Sequence, residues 1–146
     1  MPFADFNREN LPNIIITLNN EDITDESYDE FVNEMNKNDE IGEEYTLYWN
    51  LTNCTKVYPV KYLSRISKYI KSRKGKPDNH LKFSIMHAKS TTVRTMLRFI
   101  LNLTSPSAPL CIIKEVNEEL LNELYTKITE EKYDELPKGV IKFMPK

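Results

Sequence analysis

The chain is poor in residues on which several classes of protein depend. Three glycines in 146 residues are too few for a glycine-rich phosphate-binding loop, and they argue against the many tight turns of an all-β sandwich. No apolar run approaches the roughly 18 residues that a membrane-spanning helix needs. Two cysteines and two histidines show no paired ligand spacing, so the sequence predicts neither a metal site nor a cofactor.

The amino-terminal residues and the cysteines indicate a reducing location. Residues 1–13 are polar and mixed in charge, unlike the apolar segment of a secretory signal peptide. We therefore expect a cytoplasmic protein in which Cys54 and Cys111 are small core residues. Abundant Asn, Lys, Ile and Tyr suggest an AT-rich genome, which many microbes and large DNA viruses share, so a place in a virus particle is the alternative.

Acidic and basic residues are sorted into three blocks along the chain. Residues 1–44 carry a formal charge of −11, residues 45–114 carry +12 and residues 115–146 carry −3, for a net charge of −2. Charge asymmetry of this kind bears on partners and association but not on fold. We expect a protein partner, or self-association in which the acidic block of one copy meets the basic block of another.

Short apolar segments alternate four times with amphipathic helical patterns. The predicted strands are residues 14–18, 45–51, 81–87 and 110–113, and the helical patterns that follow them begin near Thr24, Pro59, Ser90 and Asn117. Strands that are joined through helices lie parallel in a sheet. The sequence therefore predicts an α/β fold of four β-α units, with a mostly parallel sheet of four or five strands and helices packed against it. We further expect a flexible arm at residues 1–13, one domain at residues 14–146, and a short edge strand near residues 140–143 within it.

The second β-α unit has a distinctive pattern. It reads TLYWNLTNCTKV followed by YPVKYLSRISKYI, in which Asn50-Leu51-Thr52 ends an apolar strand and a short loop leads into a helix. This arrangement resembles the STAS family, the domain of anti-sigma-factor antagonists, and residues 101–113 are also similar to many of its members. The regulatory branch of that family carries an Asp-Ser-Ser-Gly phosphoacceptor where this chain has Val57-Tyr58-Pro59-Val60. The resemblance implies a STAS-like fold and a non-enzymatic module for protein contacts or small-ligand binding, without a phosphorylation switch.

The helix that begins at Pro59 carries a row of basic residues, and the next helix adds two more. The eight residues of this candidate surface are Lys61, Arg65, Lys68, Lys71, Arg73, Lys74, Arg94 and Arg98. We predict that they bind an anionic protein partner. Two other interpretations stay open: the acidic helix at residues 25–40 cancels the positive field, or the row follows the phosphates of nucleic acid or of lipid head groups. The isoelectric point of about 5.8 argues against non-specific nucleic-acid binding.

A second candidate site lies where the third predicted strand meets the third helix. His87, Lys89, Ser90 and Thr91 fall there, and ligands of open α/β sheets bind at the carboxyl ends of the strands. The N–H groups of a helix N-terminus, together with nearby cations, suit an anion. The alternative is an ordinary helix cap, because Ser and Thr are common at that position.

The sequence as a whole predicts binding and not catalysis. The function that we expect is that of a non-enzymatic regulatory module, which makes protein–protein contacts through its basic helix face. One alternative is a structural or assembly protein, such as a minor component of a virus particle. The other is a small thiol- or phosphate-handling enzyme that uses Cys54 or His87, although Cys54 has no evident third catalytic group.

Overall fold

The computed structural model of the protein describes residues 2–77 and 79–146. It contains a six-stranded mixed sheet in which each strand lies beside its neighbours in sequence. The strands are β1 (Ala4–Asn10), β2 (Asn13–Leu18), β3 (Tyr45–Asn50), β4 (Leu81–His87), β5 (Leu110–Ile113) and β6 (Ile141–Phe143). Strands β2 to β5 are parallel, and β1 and β6 pair antiparallel with the two edges of that parallel core. The predicted α/β fold with a mostly parallel sheet is confirmed, but the sheet has six strands and not the predicted four or five.

Four helices follow strands β2 to β5 and pack on the two faces of the sheet. They are α1 (Asp25–Asn36), α2 (Val60–Arg73), α3 (Thr91–Leu103) and α4 (Glu118–Thr129), with 3-10 turns at Lys37–Ile41 and Tyr133–Glu135. Because consecutive parallel strands are neighbours, crossovers of one hand place α1, α2 and α3 side by side on one face. Helix α4 packs on the other face, over β4 and β5. Within the described residues, no helix is long and apolar enough to cross a bilayer.

Side chains that alternate along the strands form two apolar layers. Ile14, Ile16 and Leu47 contribute to the layer under α1, α2 and α3, where each is at most 2% exposed. Phe83 and Ile85 contribute to the smaller layer under α4. Strand β5 is buried at all four of its positions, because both faces of the sheet are covered there, and this is why it is a continuous apolar run.

The helices begin at the residues that the sequence indicates. The Thr24 hydroxyl accepts a hydrogen bond from the Ser27 backbone N–H at 3.0 Å, and the Ser27 hydroxyl accepts one from the Thr24 N–H at 2.8 Å, which completes a capping box. Ser90 and Asn117 cap α3 and α4 in the simpler way, each through its side-chain oxygen. Helix α2 has no side-chain cap and starts directly after Pro59, whose ring geometry suits a helix start.

The amino-terminal edge strand corrects one prediction. Residues 4–10 form β1, which pairs with β2, so the prediction of a flexible arm is wrong. Phe3 is only 2% exposed, and Phe6 packs against the core while Asp5 and Asn7 face solvent. An edge strand with one solvated face has a polar average composition, which hides its alternation when the segment is judged as a whole. The predicted carboxyl-terminal edge strand is confirmed as β6.

Candidate functional site

The flank of α2 that faces α1 is held by a shared carboxylate. Lys61 Nζ lies 2.8 Å and Arg65 Nη1 lies 3.0 Å from Oδ1 of Asp25, in the first turn of α1. The Tyr62 hydroxyl donates to the same oxygen at 2.9 Å. The hydrogen bonds from Lys61 and then from Tyr62 lower the pKa of Asp25 below its usual value. Two of the cations predicted to bind a partner therefore already pair with an acid of the amino-terminal block.

Farther along the same flank, Arg73 is buried and pairs with Asp39. Two nitrogens of its guanidinium donate to the two oxygens of the Asp39 carboxylate, and its side chain is only 8% exposed. Hydrogen bonding to Asp39 raises the pKa of Arg73. Between the two ion-paired ends, the Tyr69 hydroxyl donates to Asn36 Oδ1 at 2.9 Å. The flank is thus a polar seam that joins α2 to α1 and to the 3-10 turn after it.

The prediction that Arg73 contacts a partner is therefore wrong, and helix geometry explains why. Residues four apart on an α-helix are offset by about 40°, since one turn takes 3.6 residues. Arg73 follows Lys61 by three such steps, so it lies about 120° farther round α2. Lys61 is on the exposed side of the helix, and Arg73 is on its buried side. The spacing of these cations in the sequence suggests a single exposed stripe, but Arg73, the last of them on this flank, pairs with Asp39 and is not in solvent.

Two more of the predicted residues are used within the chain. Arg94 Nη1 donates to the carbonyl oxygens of Ala88 and Lys89 at 2.9 and 2.8 Å, and Nη2 donates to the Thr91 hydroxyl at 3.1 Å. These bonds tie the first turn of α3 to the segment after β4. Lys74 Nζ contacts a serine hydroxyl in the loop after α3. Both residues help to hold neighbouring segments together.

Lys68, Lys71 and Arg98 are exposed, and none of them forms an ion pair within residues 2–77 and 79–146. Lys68 borders the groove between α1 and α2, beside Asp29. Lys71 lies on the flank of α2 opposite to Arg73, because residues two apart on an α-helix are offset by about 160°. The eight predicted cations therefore do not form one surface.

The outer surface of α2 and α3 also exposes large apolar side chains. Val60 is 74%, Phe99 is 50% and Leu103 is 58% exposed. Because α2 and α3 are adjacent, we group these three with Lys71 and Arg98, which are exposed on the same two helices, and call the five residues the α2–α3 patch. Arg98 lies about 100° round α3 from Phe99, at the edge of this group. Our sequence interpretation missed Phe99 and Leu103, although one signal was present: they stand four residues apart, outside the buried apolar row of α3.

The second candidate site brings its residues to one place but leaves few of their groups available. His87 is buried, with Nδ1 3.1 Å from the Tyr48 hydroxyl, and burial lowers its pKa. A neutral, buried imidazole brings no charge to an anion. The Ser90 hydroxyl accepts from the Val93 N–H as the cap of α3, and the Thr91 hydroxyl accepts from Arg94. The structure shows the ordinary helix cap at this site. Anion binding there stays a prediction.

The two thiols are in apolar surroundings. Cys54 lies in the layer under α1, α2 and α3, where burial raises its pKa, and burial raises the pKa of Cys111, in the layer under α4, to about 11. A reactive thiolate needs the opposite shift. Among the residues that the structure describes, no three His, Cys, Asp or Glu side chains are grouped so that they could hold a metal ion.

Comparison with known proteins gives no family. No protein-family model matches the chain, and neither a curated protein nor a solved structure matches it. The likeness to the STAS family therefore stays a prediction from the sequence, and the function has to be argued from the surface and the interior of this fold.

Proposed function

We propose that the protein is a non-enzymatic binding module that recognises an acidic segment of a partner protein, with apolar side chains of its own, through the α2–α3 patch. One observation carries this proposal. The patch combines three exposed apolar side chains with two cations that have no acid partner in the part of the chain that the structure describes. On the opposite flank of α2, the cations are already used in internal ion pairs.

The composition of the patch suits a protein interface. Apolar side chains at the centre of an interface supply most of the affinity once they lose water, and aromatic residues and Arg are enriched there. Phe99 and the neighbouring Arg98 provide these two residue types on one exposed turn of α3. Cations in and around the patch would speed the encounter with an acidic partner.

Nucleic acid is a poorer fit to the same surface. Binding to a phosphate backbone uses several Lys or Arg contacts, whereas the patch holds two cations. A short acidic peptide segment needs fewer cations, because the exposed apolar side chains of the patch can supply the rest of the contact.

The proposal includes a cytoplasmic location. Both cysteines are free and buried, and they lie in the two different apolar layers of the sheet. The fold therefore does not depend on a disulfide, and an oxidising compartment would offer it no stabilisation.

Partner capture by charge-reversal variants tests the proposal. The wild-type protein, the patch variant Lys71→Glu/Arg98→Glu and the control variant Lys82→Glu/Lys114→Glu serve as baits in extracts of the source cells. The control changes the net charge equally at exposed positions outside α2 and α3. We expect the control to retain, and the patch variant to lose, the partner that the wild type captures. A partner that all three baits retain equally would contradict the proposal.

A variant without a charge change separates recognition from electrostatics. Phe99→Ser removes an aromatic side chain that is half exposed, so we expect the protein to keep its fold and to lose most of its affinity for the captured partner. Sedimentation in about 50 mM and about 500 mM NaCl then tells a foreign partner from a second copy. A dimer that both high salt and the patch variant abolish would identify the acidic segment as that of another copy.

A further inference from the structure

The interior of the protein contains a cavity of about 140 Å³ between the sheet and the layer of α1, α2 and α3. Protein interiors are close-packed, and voids larger than a water molecule are few. The wall of this cavity includes both Tyr45, at the start of β3, and Leu51, just after its end. These positions are roughly 20 Å apart along an extended strand. The volume is therefore drawn out along β3 and is narrow, not round.

The chemistry of the wall favours a neutral occupant. Nearly all of the side chains that line the cavity are apolar or aromatic, and among the described ones Arg73 is the only charged residue. The Arg73 guanidinium already donates to both oxygens of Asp39. A carboxylate or phosphate in the cavity would have no cation to pair with, and burying it unpaired would be costly.

Trp49 is one of the aromatic residues of the cavity wall. Its indole Nε1 atom is buried without a hydrogen-bond partner among the residues described. Because this atom is closed off from the cavity as well as from solvent, it offers no hydrogen bond to a molecule inside. The wall therefore selects an occupant by its shape and by its lack of charge.

One end of the cavity lies close to solvent. Asn79, Leu81 and Ser107 line it and are partly exposed. They lie in or next to the segments that lead into β4 and β5, at the amino ends of the parallel strands. This end of the cavity is therefore where a molecule would enter with the least rearrangement of the core.

From this geometry we propose that the cavity binds a neutral, narrow apolar molecule of the size and shape of an alkyl chain. The ligand class is thus an unbranched, uncharged aliphatic molecule, such as an aliphatic ketone, alcohol or ester, not a fatty acid anion and not a bulky ring system. The proposal is independent of the α2–α3 patch, because the cavity wall contains none of the five patch residues.

The indole N–H proton of Trp49 provides a direct readout, since it is the only tryptophan in the chain. Methyl octyl ketone is the probe, and because Trp49 lines the cavity we expect it to move this single resonance in a saturable way. Decanoate has a chain of the same length with a charged end, and adamantyl methyl ketone has the same acceptor on a rigid round body. We expect neither to shift the resonance. A folded wild-type protein that shows no saturable shift with methyl octyl ketone would overturn the proposal.

Variants locate the binding, with calorimetry as the measurement. Ser84→Leu and, separately, Ala108→Leu place bulk into the cavity from two positions of its wall, and each should abolish binding in a protein whose circular dichroism is unchanged. If one filled variant does not fold, the other still decides. Ketone binding that survives in a folded filled variant would place the ligand elsewhere and overturn the proposal, and so would equal binding of decanoate or of the adamantyl ketone.

Discussion

Both flanks of α2 carry basic residues, but they differ in whether those residues form ion pairs within the chain. On the flank toward α1, Lys61 and Arg65 share the Asp25 carboxylate, and Arg73 is buried against Asp39. On the flank away from α1, Lys71 is exposed and has no ion pair within the described residues. The difference shows that a basic helix is not a binding surface along its whole circumference. What matters is which flank meets an acidic neighbour.

The same comparison gives the charge blocks of the sequence a structural meaning. The amino-terminal block of −11 and the middle block of +12 meet along the contact of α1 and its following turn with α2. Part of the charge of each block is therefore neutralised by ion pairs within the chain. Among the cations that remain exposed, Lys71 and Arg98 lie on α2 and α3, where exposed apolar side chains accompany them.

The largest expected effect comes from breaking the buried end of the α1-facing flank. Arg73→Met leaves the Asp39 carboxylate, whose side chain is only 22% exposed, without its cation. Breaking a buried pair on one side costs about 3 kcal/mol of unfolding free energy, measured by urea denaturation. The double variant Arg73→Met/Asp39→Leu should recover at least half of that loss, because no charge is left unpaired. A loss below about 1 kcal/mol in the single variant would show that the seam is not a structural contact.

An intermediate effect is expected at the exposed end of the same flank, and it depends on pH. The folded-state pKa of Asp25 lies below the ordinary value of 3.8, so its ion pairs stabilise the fold above that pH and lose this contribution as the pH falls through the folded-state pKa. Asp25→Asn should be less stable than wild type at neutral pH, and the loss should be smaller than that of Arg73→Met because the Asp25 pairs are exposed to solvent. The difference should vanish in strong acid. Denaturation midpoints that differ by the same amount at every pH would contradict the assignment.

The smallest effect on stability is expected on the other flank. Lys71→Ala and Arg98→Ala remove exposed side chains without an acid partner among the described residues, so the free energy of unfolding should change by no more than about 0.5 kcal/mol. Partner affinity should nevertheless fall. Thermal denaturation and the capture assay on the same samples separate the two quantities. A stability loss comparable to that of Arg73→Met would mean that this flank, too, is held by internal contacts.

Much of the fold follows from local sequence signals. β-branched and aromatic runs mark the parallel strands, and Thr24, Ser90 and Asn117 mark helix starts because their side chains satisfy the first N–H groups. Strand β1 escaped prediction because only one of its faces is buried. The pairing of that strand with β2 is a tertiary contact that average polarity does not reveal.

Less of the candidate site could be predicted, because it depends on how helices sit beside one another. The spacing of Lys61, Arg65 and Arg73 gives a row on α2, but the sequence does not say that α1 brings Asp25 and Asp39 against it. The exposure of Phe99 likewise depends on which part of α3 the sheet covers. The cavity beside Trp49 could not be predicted from the sequence, because it is the space that many packed side chains leave between them.

Photo-crosslinking from two positions tests the central claim most directly. A photoreactive residue replaces Phe99 in the α2–α3 patch in one sample and Asp29, exposed on α1, in another. With the captured partner present, the account predicts a crosslinked complex from position 99 and none from position 29. A crosslink from position 29, or equal crosslinks from both positions, would contradict the account.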